Sequence, residues 1–261
     1  AVLARTADIF DGEVEVLRWA AAEALERCDP RDVQGALEIC RNPLAGLPPG
    51  VVRAVLRHIA EQRSGEFLPR ADVDAAAAFC LETKSGGSIR LGRSLQVRRS
   101  AGRVLFAPAG DWNAEPDAEI PFDVPGQIEL PALGATLTAR AIEGDAAAHL
   151  AATIDQAGQD RDPLVAAIDR DQIAGPLLAR GSLPADVFQA FGREDPVALG
   201  DYLAGKRVPT WRRPLTPLLV AGTKIAWVAG VEIGDFCRVR PGSHRLLELR
   251  LEYRDQRPRP P

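Results

Sequence analysis

The sequence predicts an α+β fold, with an N-terminal helical region that carries a β-hairpin and a small β-rich α/β domain at the C-terminal end. Three observations lead to this prediction. Apolar residues recur at helical spacing over residues 9–81 and alternate with polar residues over 84–106. Between residues 217 and 228, two short apolar runs then flank a tight turn.

Two helices are predicted at the start of the chain. Asp29-Pro30 ends the first helix, Asp32 can cap a short second helix, and Asn42-Pro43 closes that second helix. The apolar face of the first helix consists of Ile9, Val14, Val16, Leu17, Trp19, Ala20, Ala24 and Leu25.

A third helix is predicted to begin at Pro48 and Pro49, and a fourth to run from Ala71 to Leu81. Arg53 and Arg57 lie four residues apart in the third helix and therefore share one of its faces. The residues predicted to point inward from this helix are Val51, Val52, Val55, Leu56 and Ile59.

The strands are predicted from alternation with a period of two. Ser100-Ala101-Gly102 is predicted to be a hairpin turn, and Gly126–Leu130 and Ala135–Ala139 are predicted to be two further strands. The earlier alternating pairs are Ile89 with Leu91, Leu95 with Val97, and Val104 with Phe106.

Four segments follow from these patterns. We expect a helical domain with its hairpin at 1–110, a β-containing connector at 111–160 and a C-terminal domain at 161–254, with a polar linker near Gln156 to Asp162. The proline-rich residues 255–261 are expected to be a disordered tail.

Composition limits the classes of function. The net charge is −4, so a nucleic-acid surface would have to be a local patch, and no apolar run approaches the roughly twenty residues of a membrane span. The chain has no methionine and begins at Ala1, which favours a fragment of a longer protein. Cys28, Cys40 and Cys80 are expected to be small apolar residues in helices, as in a reduced, cytoplasmic protein.

Searches for catalytic motifs give no candidate. Lys84 to Ser88 contains Ser-Gly-Gly but lacks the aspartate and serine of a nucleotide loop, and Ala221 to Lys224 lacks the leading glycine and the helix of a Walker loop. The acidic pairs Asp169/Asp171 and Glu194/Asp195 are best explained as solvated turns. We therefore predict no catalytic residue, no metal ligand and no cofactor site in this chain.

Residues 206–216, hereafter the basic loop, combine cations with proline-restricted backbone. Pro209 and Pro214 lie within this loop and Pro217 follows it, and each proline restricts its own φ and the residue before it. Guanidinium groups beside an indole suit phosphates and a stacked base. On chemistry alone, a solvated basic loop with Trp211 in the core is the favoured alternative.

The order of this stretch resembles the C-terminal domain of bacterial tRNA(Ile)-lysidine synthetase. That family has a Lys-Val-Pro step, an arginine, Pro-Leu-Leu-Val, and then Ile-x-Trp-Val-x-Gly. The matching positions are Arg207, Val208, Pro209, Arg213, Pro217, Leu218, Leu219, Val220, Ile225, Trp227, Val228 and Gly230.

The resemblance implies the tRNA-binding, non-catalytic part of an ATP-dependent ligase that joins lysine to the wobble cytidine of tRNA(Ile). ATP, magnesium and lysine would bind in an N-terminal pyrophosphatase domain whose Ser-Gly-Gly-x-Asp-Ser loop is not in this sequence. The implied partner is tRNA(Ile), with no membrane, and a homodimer is left open. The candidate tRNA-binding residues are Lys206, Arg207, Trp211, Arg212, Arg213, Arg53 and Arg57.

One departure and two alternatives remain. The family has Gly-Asp-Arg before the basic loop, whereas this chain has Ala185, Asp186 and Val187, so one arginine contact with RNA is missing. The chain could also be a stand-alone RNA- or protein-binding module, or the C-terminal part of another pyrophosphatase-type tRNA-modifying enzyme. The upstream reading frame would discriminate between these alternatives.

Overall fold

A computed structural model describes residues 2–156 and 162–254 of the chain, with side chains described from residue 13 to 151 and from 162 onward. It divides into two compact units, residues 1–113 and residues 114–261. Helices and antiparallel sheets occur in both units, so the predicted α+β class is confirmed. Within the described ranges, no helix has the length and apolar character needed to cross a bilayer.

The first unit packs its helices against one antiparallel sheet of order β1-β2-β5-β4-β3. Its helices are α1 Val2–Glu26, α2 Arg41–Ala45, α3 Pro49–Ser64 and α4 Arg70–Leu81. Its strands are β1 Arg31–Val33, β2 Ala36–Cys40, β3 Ser88–Leu91, β4 Leu95–Ser100 and β5 Arg103–Pro108.

The α3 helix follows the predicted pattern. It starts with Pro49, where a missing amide hydrogen costs nothing, and ends at Gly65, which is left-handed at φ 67° and whose N–H donates to the carbonyl of Glu61. Val51 is half-buried, whereas the other predicted inward residues are fully buried. These are Val52, Val55, Leu56 and Ile59.

The predicted short helix after Asp32 is wrong, because this segment forms the β1–β2 hairpin. Gln34 and Gly35 connect the strands with φ values of 50° and 82°, the two positive values of a type I′ turn. Asp32 accepts a 3.0 Å hydrogen bond from the Gly35 N–H, so it stabilises a turn and caps no helix. Cys40 therefore ends a strand and Cys28 lies in the turn after α1, so only Cys80 is helical as predicted.

The predicted hairpin around Ser100 is confirmed. β4 and β5 pair from Leu95↔Pro108 to Ser100↔Arg103, and the connecting residues Ala101 and Gly102 have φ values of 51° and 79°. A second type I′ turn thus sets the register of this hairpin.

The α1 helix is also confirmed, but only part of its apolar face is covered. Ala24 is buried and Leu25 packs against the core of the unit. Trp19, by contrast, is 67% exposed, and Val14, Val16 and Leu17 are exposed with it. Helical spacing identified the helix correctly, although it does not determine whether another element covers each apolar residue.

The second unit contains two sheets and a two-stranded ladder. Sheet order is β15-β14-β13-β10-β6 in one sheet and β7-β8-β16-β9 in the other, and β11 pairs with β12. The helices are α5 Gly144–Gln156 and α6 Leu199–Gly205. The strands are β6 Ile120–Phe122, β7 Gly126–Leu130, β8 Ala135–Glu143, β9 Val165–Asp169, β10 Leu177–Arg180, β11 Val187–Phe188, β12 Val197–Ala198, β13 Leu218–Ala221, β14 Lys224–Val228, β15 Glu232–Ile233 and β16 Arg245–Tyr253.

The segment expected to be a connector, 111–160, contributes strands to both sheets. β6 pairs with β10, while β7 and β8 pair with each other and β8 pairs along its whole length with β16. The predicted strand Gly126–Leu130 is confirmed, and the one from Ala135 extends to Glu143. Most of the predicted polar linker and the whole predicted tail lie outside the described residues.

The predicted β13–β14 hairpin is confirmed, but strict period-two alternation would place Ile225 and Trp227 on the same face, pointing into one core, and that expectation is wrong. Leu219 pairs with Trp227 and Val220 pairs with Ile225, so Ala226 is the extra residue of a β-bulge. The bulge interrupts the alternation of side chains. Trp227 therefore packs into the cluster that joins the two sheets, whereas Ile225 packs with α6 on the other side.

Trp227 is 1% exposed, and we expect Trp227→Ala to lower the free energy of unfolding by roughly 3–5 kcal/mol, since it leaves a large cavity. Urea unfolding measures this change. Trp19→Ala removes the same side chain from an exposed site and should change the stability by about 0.5 kcal/mol or less. Equal effects of the two substitutions would contradict the burial of Trp227.

Candidate nucleic-acid interface

The basic loop leads from the end of α6 to the start of β13. Its proline-rich sequence coils closely, because the Pro209 carbonyl accepts hydrogen bonds from the amides of Arg212 and Arg213, at 2.9 and 3.2 Å. Apolar residues of the loop anchor it to the unit. The buried ones are Val208, Pro209, Trp211 and Leu215.

Arg207 occupies a backbone conformation that usually belongs to glycine. Its φ is 62°, in the left-handed region. Its amide donates to the carbonyl of Ala204 at 3.0 Å, and the amide of Val208 donates to that of Leu203 at 2.9 Å. These are the two hydrogen bonds of a Schellman motif, with Arg207 at the position after the helix cap.

The Arg207 side chain projects into solvent. It is exposed and forms no hydrogen bond or ion pair with any residue in the described ranges. The contact between Val208 and Leu203, both buried in one cluster, supports the turn from below. The motif therefore holds the backbone and leaves this guanidinium available.

The other predicted cations have more restricted roles. The Arg213 Nε donates to the Val208 carbonyl at 3.3 Å, so this half-buried side chain folds across the loop it belongs to. Arg212 is half-buried beside it. Lys206 lies over the Tyr202 ring at 5.4 Å and 4.0 Å from a carboxylate oxygen of Glu232. Burial raises the pKa of the Tyr202 hydroxyl, and the Lys206 ammonium opposes this increase.

Trp211 does not offer a stacking surface in this conformation. It is 4% exposed, so its indole packs inside the unit. The sequence analysis left two positions open for Trp211, a stacking surface for a base or the core. The structure places the ring in the core. The basic loop therefore carries its cations at the surface and is attached to the unit by its buried apolar residues.

Asp186, from the segment that differs from the family pattern, is a structural residue. Its carboxylate accepts two hydrogen bonds from Arg180, at 2.6 and 2.8 Å, and one from the Leu183 amide at 2.7 Å. Burial raises its pKa, but the hydrogen bonds and the charge of Arg180 outweigh burial and lower the pKa overall. Val187 beside it is 56% exposed and carries no charge.

Arg53 and Arg57 lie on α3 of the first unit. The Arg53 Nε donates to the Asp74 carboxylate at 2.6 Å, and this hydrogen bond lowers the pKa of Asp74. Arg57 is exposed and lines a cavity of about 340 Å³ together with Arg18 and His58. The remaining five predicted residues share the basic loop of the second unit.

Neither of the two glycine-containing segments that were compared with nucleotide loops has the structure of one. The Gly86 amide donates to the Arg99 carbonyl at 3.0 Å, and the Ser85 hydroxyl accepts from the Ala101 amide at 3.0 Å, so this Ser-Gly-Gly segment does not form a phosphate cradle. Gly222 lies in a hairpin turn with no helix after it. No group of three His, Cys, Asp or Glu side chains within the described ranges could hold a metal ion.

Ser182 contacts the basic loop and was missed by sequence reasoning. Its hydroxyl donates to the Arg213 carbonyl at 2.6 Å across a separation of 31 residues. No local pattern marks a serine for such a role, because the contact exists only after β10 and β13 have paired.

Two family models match the chain. One is described as the TilS substrate binding domain and matches residues 40–105. The other is described as the TilS substrate C-terminal domain and matches residues 178–251, which include the basic loop.

The relatives found by sequence carry a consistent name. A tRNA(Ile)-lysidine synthase from Symbiobacterium thermophilum is 31% identical over 263 residues, which cover 97% of this chain and 52% of that protein. A tRNA(Ile)-lysidine synthase from Geobacter sulfurreducens is 25% identical over 260 residues, covering 97% and 51%. The chain thus spans about half the length of these curated relatives.

Among solved structures, a crystal structure of the TILS C-terminal domain is similar to this chain with a TM-score of 0.42 and 17% identity. The matched region covers 53% of this chain and 100% of that one.

The left-handed conformation of Arg207 generates a stability prediction. Such a conformation costs a residue with a Cβ roughly 1–2 kcal/mol, whereas glycine adopts it freely. We expect Arg207→Gly to leave the free energy of unfolding unchanged or to raise it by up to about 1 kcal/mol. Arg207→Val should lower it by about 1 kcal/mol or more, because a β-branched side chain disfavours this conformation further.

Urea unfolding of the two variants checks this prediction. If glycine destabilised the chain as much as valine does, the Schellman motif would not be what ends α6.

Proposed function

Because the chain belongs to the tRNA(Ile)-lysidine synthase family, we propose that it is the tRNA-binding part of such an enzyme and that the basic loop contacts tRNA phosphates. The observation that carries this proposal is Arg207, a charged and exposed residue in a backbone position where glycine would be less strained. Backbone strain at residues other than glycine is enriched at functional sites, and Arg207 lies outside the two-residue hairpin turns that explain Gln34 and Ala101.

The anchoring of the loop supports the same conclusion. Val208 and Trp211 are buried on either side of Pro209. The first loop amides bond to carbonyls of α6, and the later ones bond to carbonyls within the loop. A cation presented from a fixed backbone loses little conformational entropy when it binds. Such a loop can present Arg207 and Arg212 to phosphates, so that only their side chains become ordered on binding.

Contacts of this type position an RNA and do not read its bases. Guanidinium groups bind phosphate oxygens through paired hydrogen bonds, and phosphates are the same in every sequence. Trp211 is buried and offers no base stacking. We therefore propose that the basic loop binds the phosphate backbone of the tRNA, and that other residues of the enzyme recognise which tRNA is bound.

For the whole enzyme, we propose the reaction expected of the family, in the cytoplasm. ATP activates the wobble cytidine of tRNA(Ile), and lysine then displaces the adenylate. As the family resemblance implies, we assign the binding of ATP, magnesium and lysine to a part of the enzyme outside this chain. The chain would contribute orientation of the tRNA, which raises the effective concentration of the reacting groups.

We expect Arg207→Gly and Arg212→Ala each to weaken binding of unmodified tRNA(Ile). Each should also reduce the slope of log affinity against log salt by about one unit, because each removes one phosphate contact. Arg207→Lys should restore only part of the affinity, since it replaces a two-pronged donor with a point charge. Filter binding across a salt series measures these effects.

The matched control is Arg250→Ala, which removes the same charge from an exposed arginine of β16 in the other sheet. It should leave the affinity and the salt slope nearly unchanged. Full-strength binding by Arg207→Gly, whose fold we expect to be intact, would remove Arg207 from the RNA interface, and full-strength binding by Arg212→Ala as well would remove the basic loop from it.

We also expect this chain alone to show no ATP–pyrophosphate exchange, with or without lysine and tRNA. The reason is that neither the Ser-Gly-Gly segment at 85–87 nor the turn at Gly222 forms a phosphate cradle. A tRNA(Ile)-lysidine synthase assayed in parallel serves as the positive control. Exchange by the purified chain above a mock-purified background would refute this expectation.

A further inference from the structure

The segment 181–183, which follows β10, lies directly against the basic loop. A Cβ on Gly181 would stand 2.4 Å from the carbonyl oxygen of Pro214 and 2.2 Å from the Cβ of Pro116. Only glycine allows the two backbones to approach so closely. The loop is therefore in contact with a second piece of main chain that is remote in sequence.

One side chain joins these two pieces of backbone. The Ser182 hydroxyl donates a 2.6 Å hydrogen bond to the carbonyl of Arg213, which also accepts from the Thr216 amide at 3.0 Å. This carbonyl belongs to the peptide between Arg213 and Pro214. The bond thus fixes the part of the loop that carries the two adjacent arginines.

The segment that supplies Ser182 is itself rigid. Arg180 donates to both oxygens of Asp186 and to the carbonyl of Gly181 at 2.9 Å. The Asp186 carboxylate in turn accepts from the Leu183 amide. Arg180 and Asp186 are largely buried, so this ion pair holds residues 180–186 as one turn. Ser182 transmits that fixed position to the basic loop.

We propose that Ser182 is a positioning residue for tRNA binding, which acts by holding the Arg212–Arg213 peptides of the basic loop in their binding geometry. This inference rests on the proposed function, because it assumes that the loop contacts tRNA. The Ser182 hydroxyl itself does not need to contact the RNA. Its effect depends on the arginines that it positions.

The test compares tRNA(Ile) binding by the whole chain with Ser182→Ala, at a temperature where melting curves show every variant to be folded. We expect roughly three- to tenfold weaker binding, the loss that follows from one hydrogen bond. Ser182→Thr keeps the hydroxyl and should bind close to the original affinity. Ser64→Ala removes a comparable 2.8 Å hydroxyl-to-carbonyl bond from α3 and should not change binding.

A double-mutant cycle separates positioning from general structural support. In an Arg212→Ala/Arg213→Ala background, Ser182→Ala should cause no further loss, because the groups it positions are gone. An equal further loss in that background, or undiminished binding by Ser182→Ala in the original chain, would overturn this inference.

The same data distinguish failure of this inference from failure of the proposed function. Full binding by the Arg212→Ala/Arg213→Ala and Arg207→Gly variants would refute the proposed function. Loss of binding in those variants with full binding by Ser182→Ala would refute only the role of Ser182.

Discussion

The second unit depends on one hairpin that is buried on both of its faces. Every residue of β13 is buried, and β14 is buried after Lys224. The bulge at Ala226 directs Trp227 to the cluster between the sheets and Ile225 to the cluster around α6. Because α6 packs against this hairpin and β13 is one of its strands, the hairpin fixes both ends of the basic loop.

The basic loop combines two opposing requirements. Its anchors, Val208, Trp211 and Leu215, stabilise the loop by burying apolar surface, as apolar residues usually do. Arg207, by contrast, destabilises the fold locally, because a residue with a Cβ occupies a left-handed position at the end of α6. The phosphate contact proposed for Arg207 needs charge at a fixed place, and the Schellman motif at the end of α6 fixes the backbone that carries this charge.

Several parts of the fold were predictable because they depend on local physics. Period-two alternation identified β3, β4 and β5, and the apolar runs identified the β13–β14 hairpin. The β1–β2 hairpin was not found, because the apolar spacing around Asp32 fits either structure and the Gln34-Gly35 turn is a weak signal. Trp211 illustrates the same limit, since an indole beside arginines suits an RNA surface and a core equally well.

By itself, the sequence determined the α+β class, the position of the basic loop and the family resemblance, since these depend on periodicity, proline positions and the order of residues. Only the tertiary structure decided which cations are exposed, that Trp211 is an anchor, and that Ser182 and Gly181 meet the loop. The physical reason is that burial and side-chain partners are set by elements remote in the chain. The residues adjacent to Ser182 in the sequence do not indicate that its hydroxyl bonds to Arg213, which is 31 positions away.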